Sequence, residues 1–255
     1  MTRILQLILM DIIRNRVVIA YTIFLALATW SIFFLEDSGN KALITMLNLE
    51  LLVIPLISIL FSAIYIYNSS EFIELLLSQP IKRSQIWINL YLGLAICLLL
   101  SFLFAVLPPL LLFGYLQNSI WLIVGGLLVS IIFISLGFLI SIIQRDKAKG
   151  IGSALMIWLF FALLFDGLVL FILFQFGDYP IEKPMVFMSM MSPIDLLRIM
   201  NLMQLDASAM MGYTGAIFQQ YFGSTIGTWL TLFILGIWAL LPFWLSLQKF
   251  KKKDL

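Results

Sequence analysis

Histidine is absent from this chain, cysteine occurs once, and charged residues make up only 11% of it. Each shortage excludes something. Without histidine the chain lacks the usual general base near neutral pH and the commonest transition-metal ligand. Cys97, standing alone, can form neither an intramolecular disulfide nor a cysteine-cluster metal site. No G-x-x-x-x-G-K-[ST] stretch occurs, so the chain has no phosphate loop with which to cradle ATP in the usual manner. No catalytic residue and no directly bound cofactor or metal is expected, and energised work would need hydrolysis by another subunit.

What the chain has in excess is apolar residues: 63% of 255, against roughly 45 to 50% in an ordinary soluble domain. The excess is segmented. Six runs, over residues 17–35, 43–67, 90–116, 120–143, 151–176 and 225–247, have the length a helix needs to cross roughly 30 Å of hydrocarbon at about 1.5 Å per residue. Backbone groups in lipid must bond within their own segment or in a closed barrel. Uninterrupted runs without period-2 alternation choose helices. The expected fold is an all-α membrane protein of six transmembrane helices, forming one transmembrane domain over residues 1–255.

Lysine and arginine set the orientation, because positive residues near span ends stay in the cytoplasm. With the N-terminus inside, the inner segments hold Arg3, Arg14, Arg16, Lys82, Arg83, Arg145, Lys147, Lys149, Lys249, Lys251, Lys252 and Lys253, leaving Lys41, Lys183 and Arg198 outside. Both termini are therefore expected in the cytoplasm of a multi-pass membrane protein. Arg3, Arg14 and Arg16 precede an apolar stretch containing Ala26, Leu27 and Ala28. That stretch runs on to Leu35, longer than the roughly 7 to 15 residues of a signal-peptide core, so a spanning helix is expected there.

Between the spans lie segments suited to mechanism. Residues 1–16 place Leu5, Ile8, Leu9, Ile12 and Ile13 along one helical face, with Arg3, Asp11 and Arg14 largely away from it; this predicts an interfacial helix, serving as an anchor or as a lever on the first span. Residues 69–89 begin with Ser69 and Ser70, which can cap a short helix carrying Glu71 and Glu74 before Pro80 ends it. Lys82 and Arg83 follow. This is either a solvated connection or a docking helix for a cytoplasmic partner. The basic loop from Gln144 to Gly150 is placed to touch the same partner. Glu50 and Asp166 fall inside predicted spans, where a carboxylate is costly enough to suggest function; they are candidates for a shared vestibule or, alternatively, for helix packing. Pro55, Pro108, Pro109 and Pro242 interrupt hydrogen bonding within spans. Gly125, Gly126 and Gly137 permit close helix approach, and Gly223 with Gly227 makes one G-x-x-x-G.

The long outer segment, residues 177–224, contains a capping-box-like start at Ser192, Pro193 and Asp195. Leu196, Leu197, Met200 and Met203 come next at helical spacing, with Asp195, Arg198 and Asn201 on another face, which predicts an amphipathic helix on the bundle's outer surface. Eight of the twelve methionines fall in this segment: Met185, Met188, Met190, Met191, Met200, Met203, Met210 and Met211. Thioethers suit Cu(I), and they also serve as adaptable packing.

Six spans, an N-terminal interfacial helix, an acidic helix in the first inner loop and a long outer segment together resemble permeases of the type-2 ABC exporter class. Two stretches, Glu74 to Leu94 and Met191 to Ser224, carry a narrower resemblance to permease subunits that serve nitrous oxide reductase maturation. The resemblance implies two permease copies, two cytoplasmic ATPase subunits that hold ATP and Mg, and a periplasmic beta-helical protein, together serving copper-sulfur cluster assembly by handling a sulfur species. It implies ATPase docking on Glu71, Glu74, Gln79, Pro80, Lys82 and Arg83, and contact with the periplasmic partner through Pro193, Asp195, Arg198, Met200 and Met203. Membrane lipid is a further expected partner and nucleic acid is not. An exporter of a lipid or drug-like molecule, and a non-transporting membrane scaffold, remain alternatives.

Overall fold

The computed structural model describes residues 2–36, 38–176, 182–205 and 225–252. Among these, every regular element is helical. A short helix α1 (Thr2–Ile13) leads to α2 (Arg16–Leu35), where the Asn15 side chain caps the new helix by accepting the Val17 N–H at 2.9 Å. Then come α3 (Gly39–Asn68), the short α4 (Ser70–Leu77), α5 (Arg83–Leu112) and α6 (Ile120–Ile143). The fifth span is α7 (Lys147–Leu159), a π-helical turn over Phe160–Leu164, and α8 (Phe165–Gln175). Two shorter helices, α9 (Glu182–Met191) and α10 (Pro193–Gln204), precede the last span, α11 (Thr225–Lys252).

Among the described residues, six helices are long and apolar enough to cross a membrane: Arg16–Leu35, Gly39–Asn68, Arg83–Leu112, Ile120–Ile143, Lys147–Gln175 and Ile226–Lys252. Their ends depart from the apolar runs for local reasons. The third span begins at Arg83 rather than 90, because polar Ser84, Gln85 and Asn89 continue one helix whose first turns project beyond the apolar run. It stops at Leu112 rather than 116, because Gly114 takes φ +77°. The Gly114 and Tyr115 N–H groups then bond back to the carbonyls of Leu111 and Leu110, closing a left-handed helix cap.

Helix α6 is the axis of the bundle, packed on α3, α5, α10 and α11. Lipid is as apolar as leucine, so helices in a membrane associate through close packing rather than water exclusion. The small residues of α6 provide that closeness. A Cβ on Gly137 would collide with Ser62 and approach the Ile59 carbonyl of α3 to 2.8 Å, and one on Gly126 would strike the Phe102 ring of α5. Ser130 and Ser135 return their hydroxyls to carbonyls one turn back, at 2.7 and 2.9 Å, so they cost little in the apolar interior. On α5, α1 packs through Ile8 and Ile12, both fully buried, and the absence of a side chain at Gly93 makes room for Ile8. Asp11 does not point wholly to solvent: it accepts the Tyr65 hydroxyl of α3 at 3.2 Å.

The expectation for the outer segment needs correction. Helices α9 and α10 meet at 113°, and α10 is inserted among α3, α6 and α11 rather than laid on the surface. Of its intended polar face, Asp195 and Asn201 are buried. Gly125 of α6 admits the Asn201 amide, whose Nδ2 donates to the Leu197 carbonyl at 3.0 Å. A pattern of apolar and polar residues cannot tell a helix facing water from one whose polar side meets a recess made by glycine. Met210, Met211 and Gly223 lie outside the described residues.

Candidate functional site

Two groups of side chains stand out, one at each end of the bundle. At the end where lysine and arginine collect, α4 presents Glu71, Phe72, Glu74 and Leu75 outward, while Ile73 and Leu76 are buried toward α5 and α3. The helix starts after Ser69, whose side chain makes no capping bond, and closes with the Ser78 hydroxyl donating to the Leu75 carbonyl at 2.8 Å. Gln79, Pro80, Lys82 and Arg83 continue the exposed surface. The sequence-predicted docking residues thus form one continuous exposed patch, and the exposed Phe72 and Leu75 add an apolar component.

Behind α4 lies an aromatic cluster. Trp87 at the start of α5 stacks on Phe250 of α11 at 4.3 Å between ring centres and meets Phe138 of α6 edge-on at 5.0 Å. Its indole N–H donates to Ser246 at 3.1 Å. One turn along, Tyr91 packs on Phe243 at 4.0 Å. The cluster ties α5, α6 and α11 together beneath α4.

At the opposite end, Asp166 and Glu50 part company. Asp166 pairs with Arg198 of α10 at 2.7 Å, and Arg198 also reaches Asp195 at 3.4 Å. A single guanidinium thus bridges span five to α10. The π turn immediately before Asp166 advances the helix register, since each extra residue rotates the succeeding turns by about 100°. Glu50 is buried, and its Oε1 has no hydrogen-bond partner. Its electrostatic neighbour is Tyr21 of α2, whose buried hydroxyl is also unpartnered. The two carboxylates share no partner: one belongs to an ion triad and the other is buried facing Tyr21 of α2.

The residues expected to meet an outer partner are placed unevenly. Pro193, Asp195 and Met200 are buried within the bundle, whereas Arg198 and Met203 are half-exposed. Met185 and Met200 sit in the apolar core, with Met190 and Met203 packed against it. No group of three or more His, Cys, Asp and Glu side chains among the described residues is arranged to hold a metal ion.

Sequence reasoning overlooked the role of Arg198 as the bridge, although a signal was available: an arginine in an apolar stretch needs a carboxylate, and Asp166 is an isolated one. Tyr21 and Trp87 carried no such signal, because their significance lies in which helix stands opposite.

The amino-acid sequence matches a known family model, described as ABC-2 family transporter protein, over residues 4–255. The chain belongs to the ABC-2 transporter family. Among its relatives is the probable ABC transporter permease protein NosY of Pseudomonas aeruginosa, 30% identical over 79% of this chain and 81% of that one. The probable NosY permease of Stutzerimonas stutzeri is 25% identical over 78% of this chain and 80% of its own length. Members of this family are membrane subunits of ABC transporters, so the chain is a multi-pass permease and not itself an enzyme, and an ATPase subunit is its partner.

Proposed function

We propose that this chain is the permease subunit of an ABC transporter serving nitrous oxide reductase maturation, in which ATP hydrolysis by a partner reshapes the outer face of the bundle. The observation that carries the reading is the exposed face of α4, acidic and apolar together, backed by the Trp87 cluster. In this reading the lysine-rich end faces the cytoplasm of a bacterial inner membrane, and two permease copies receive two ATPase subunits that hold ATP and Mg. The ATPase engages Glu71, Glu74, Gln79, Pro80, Lys82 and Arg83. Its closure shifts α4, and Ile73 and Leu76 pass the shift to α5. Trp87 couples α5 to α6 and α11, and α6 reaches α10 where Gly125 admits Asn201.

The outer end then works on a periplasmic beta-helical protein through α10 and the chain beyond it, in support of copper-sulfur cluster assembly. The similarity to the two NosY permeases supports this assignment over a lipid or drug exporter. The reading is tested by changing Glu71→Ala and Glu74→Ala together. ATP turnover by the co-purified complex should lose its dependence on the permease while the bundle elutes and melts as wild type; unaltered coupling would remove α4 from the docking role. Purification of the tagged complex in mild detergent tests the partners. An ATPase together with a periplasmic repeat protein supports the maturation role, an ATPase alone a general exporter, and neither a scaffold.

A further inference from the structure

Helix α11 ends in a turn rich in cations. Leu245, Gln248, Lys249 and Lys252 share one face of it by their spacing of three, four and seven residues. Facing them, α6 ends at Ile143 and the chain turns through Gln144 and Arg145 before α7 begins. A hollow of about 420 Å³ opens between the two, walled by Ile142, Ile143 and Leu245 and edged by Arg145, Lys249 and Lys252. Among the described residues the three cations have no acidic counterpart, since both ion pairs there belong to Arg198. Asp146, next in sequence, is engaged as the cap of α7, accepting the Lys149 N–H at 3.0 Å. Glu74 shares a neighbouring hollow with Arg145 but does not pair with it.

The second observation is the surface that adjoins this hollow. Toward the middle of the membrane, an apolar groove of about 590 Å³ lines the exposed side of α11, and its Ile237, Leu241 and Trp244 lead at helical spacing to Leu245 and Gln248 of the hollow. A basic hollow between span ends, approached by an apolar groove on the lipid-facing side of the same helix, fits one class of ligand: a molecule with an anionic head and a hydrocarbon tail. Trp244, exposed near the span's end, suits the headgroup level.

We infer that the end of α11 forms a site for one anionic phospholipid. Arg145, Lys249 and Lys252 hold the phosphate, and the acyl chain lies along Leu241, Trp244 and Ile237. The apolar floor argues against an acidic protein segment, which would leave Ile142, Ile143 and Leu245 unmatched. The bound lipid bridges α6 and α11, two helices that the Trp87 cluster also joins. Basic pockets between spans are a recognised mode of anionic-lipid capture, with each cation near the surface worth about a fivefold gain in binding.

The test uses the full-length protein in nanodiscs of phosphatidylcholine containing a minor share of phosphatidylglycerol. Both leaflets then carry the probe, so the outcome does not depend on orientation or on the ATPase reading. Native mass spectrometry should find phosphatidylglycerol retained on the wild type. Retention should fall at least about tenfold in the triple variant Arg145→Gln, Lys249→Gln, Lys252→Gln, but not in the charge-matched control Arg14→Gln, Arg16→Gln, Lys149→Gln. In a measurement free of charge changes, bromine-labelled phosphatidylglycerol should quench the fluorescence lost in Trp244→Phe more than bromine-labelled phosphatidylcholine does. Equal retention in the two triple variants, or equal quenching by the two lipids, would overturn the proposal. Displacement of the lipid by millimolar inorganic phosphate would also overturn it, making this a free-anion site.

Discussion

Spans four and five have nearly the same mean hydropathy, 2.7 and 2.6, yet 67% of the first's apolar window is buried inside the bundle and only 11% of the second's. Hydropathy reports that a helix is comfortable in hydrocarbon. It does not report whether that hydrocarbon belongs to lipid or to other helices, because the two environments are equally apolar. What separates the spans is shape. Gly125, Gly126 and Gly137 of α6 each receive a side chain from a neighbouring helix, whereas at Gly152 and Gly167 of span five a Cβ would meet nothing within 4 Å. Span five is attached by a few polar bonds instead, among them the Trp158 N–H to the Leu52 carbonyl at 3.0 Å and the Arg198–Asp166 pair.

The comparison can be broken at three levels. The largest effect is expected from truncating aromatic side chains. Phe138→Ala on α6 should cost about 3 to 5 kcal/mol through the cavity left against Trp87 and Tyr91, while Phe174→Ala, facing outward on α8, should be nearly neutral. Thermal unfolding in detergent compares them, and equal losses would refute the division into a packed and a lipid-facing span. Next, Gly137→Ala should destabilise by about 1 to 3 kcal/mol, since the backbone carbonyl of Ile59 cannot yield as a side chain can. Gly167→Ala should stay within about 0.5 kcal/mol of wild type in the same assay. The smallest effect on stability, about 1 kcal/mol, is expected for Arg198→Ala, because the ion pair is part-exposed. That variant should nevertheless raise hydrogen exchange selectively in α8 and α10; uniform protection across both helices would show that the triad does not hold span five.

Much of the architecture was legible beforehand because its causes are local. An apolar run of sufficient length must be a helix in lipid, and Ser192 before Pro193 announces a helix start that the structure realises, with Ser192 accepting the Asp195 N–H at 3.2 Å. The exposed acidic helix after the second span was legible for the same reason. The placement of α10 was not. Asn201 and Asp195 read as solvent-facing until Gly125 of α6 is seen to admit Asn201, and Arg198 of the same helix is seen to join Asp195 to Asp166 of span five. Nor did the sequence separate Glu50 from Asp166, since both are lone carboxylates in apolar surroundings and only their neighbours differ.

By itself, then, the sequence determined the number of spans, the charge asymmetry between the two ends, and the short helix presented at the basic one, because hydrogen-bond satisfaction in lipid and the cost of charge act on each segment alone. The tertiary structure decided which span lies at the centre, which carboxylate is paired, and where three cations stand near a lipid-facing groove. Those depend on which small residue stands opposite which large one, a relation between helices that no single segment contains.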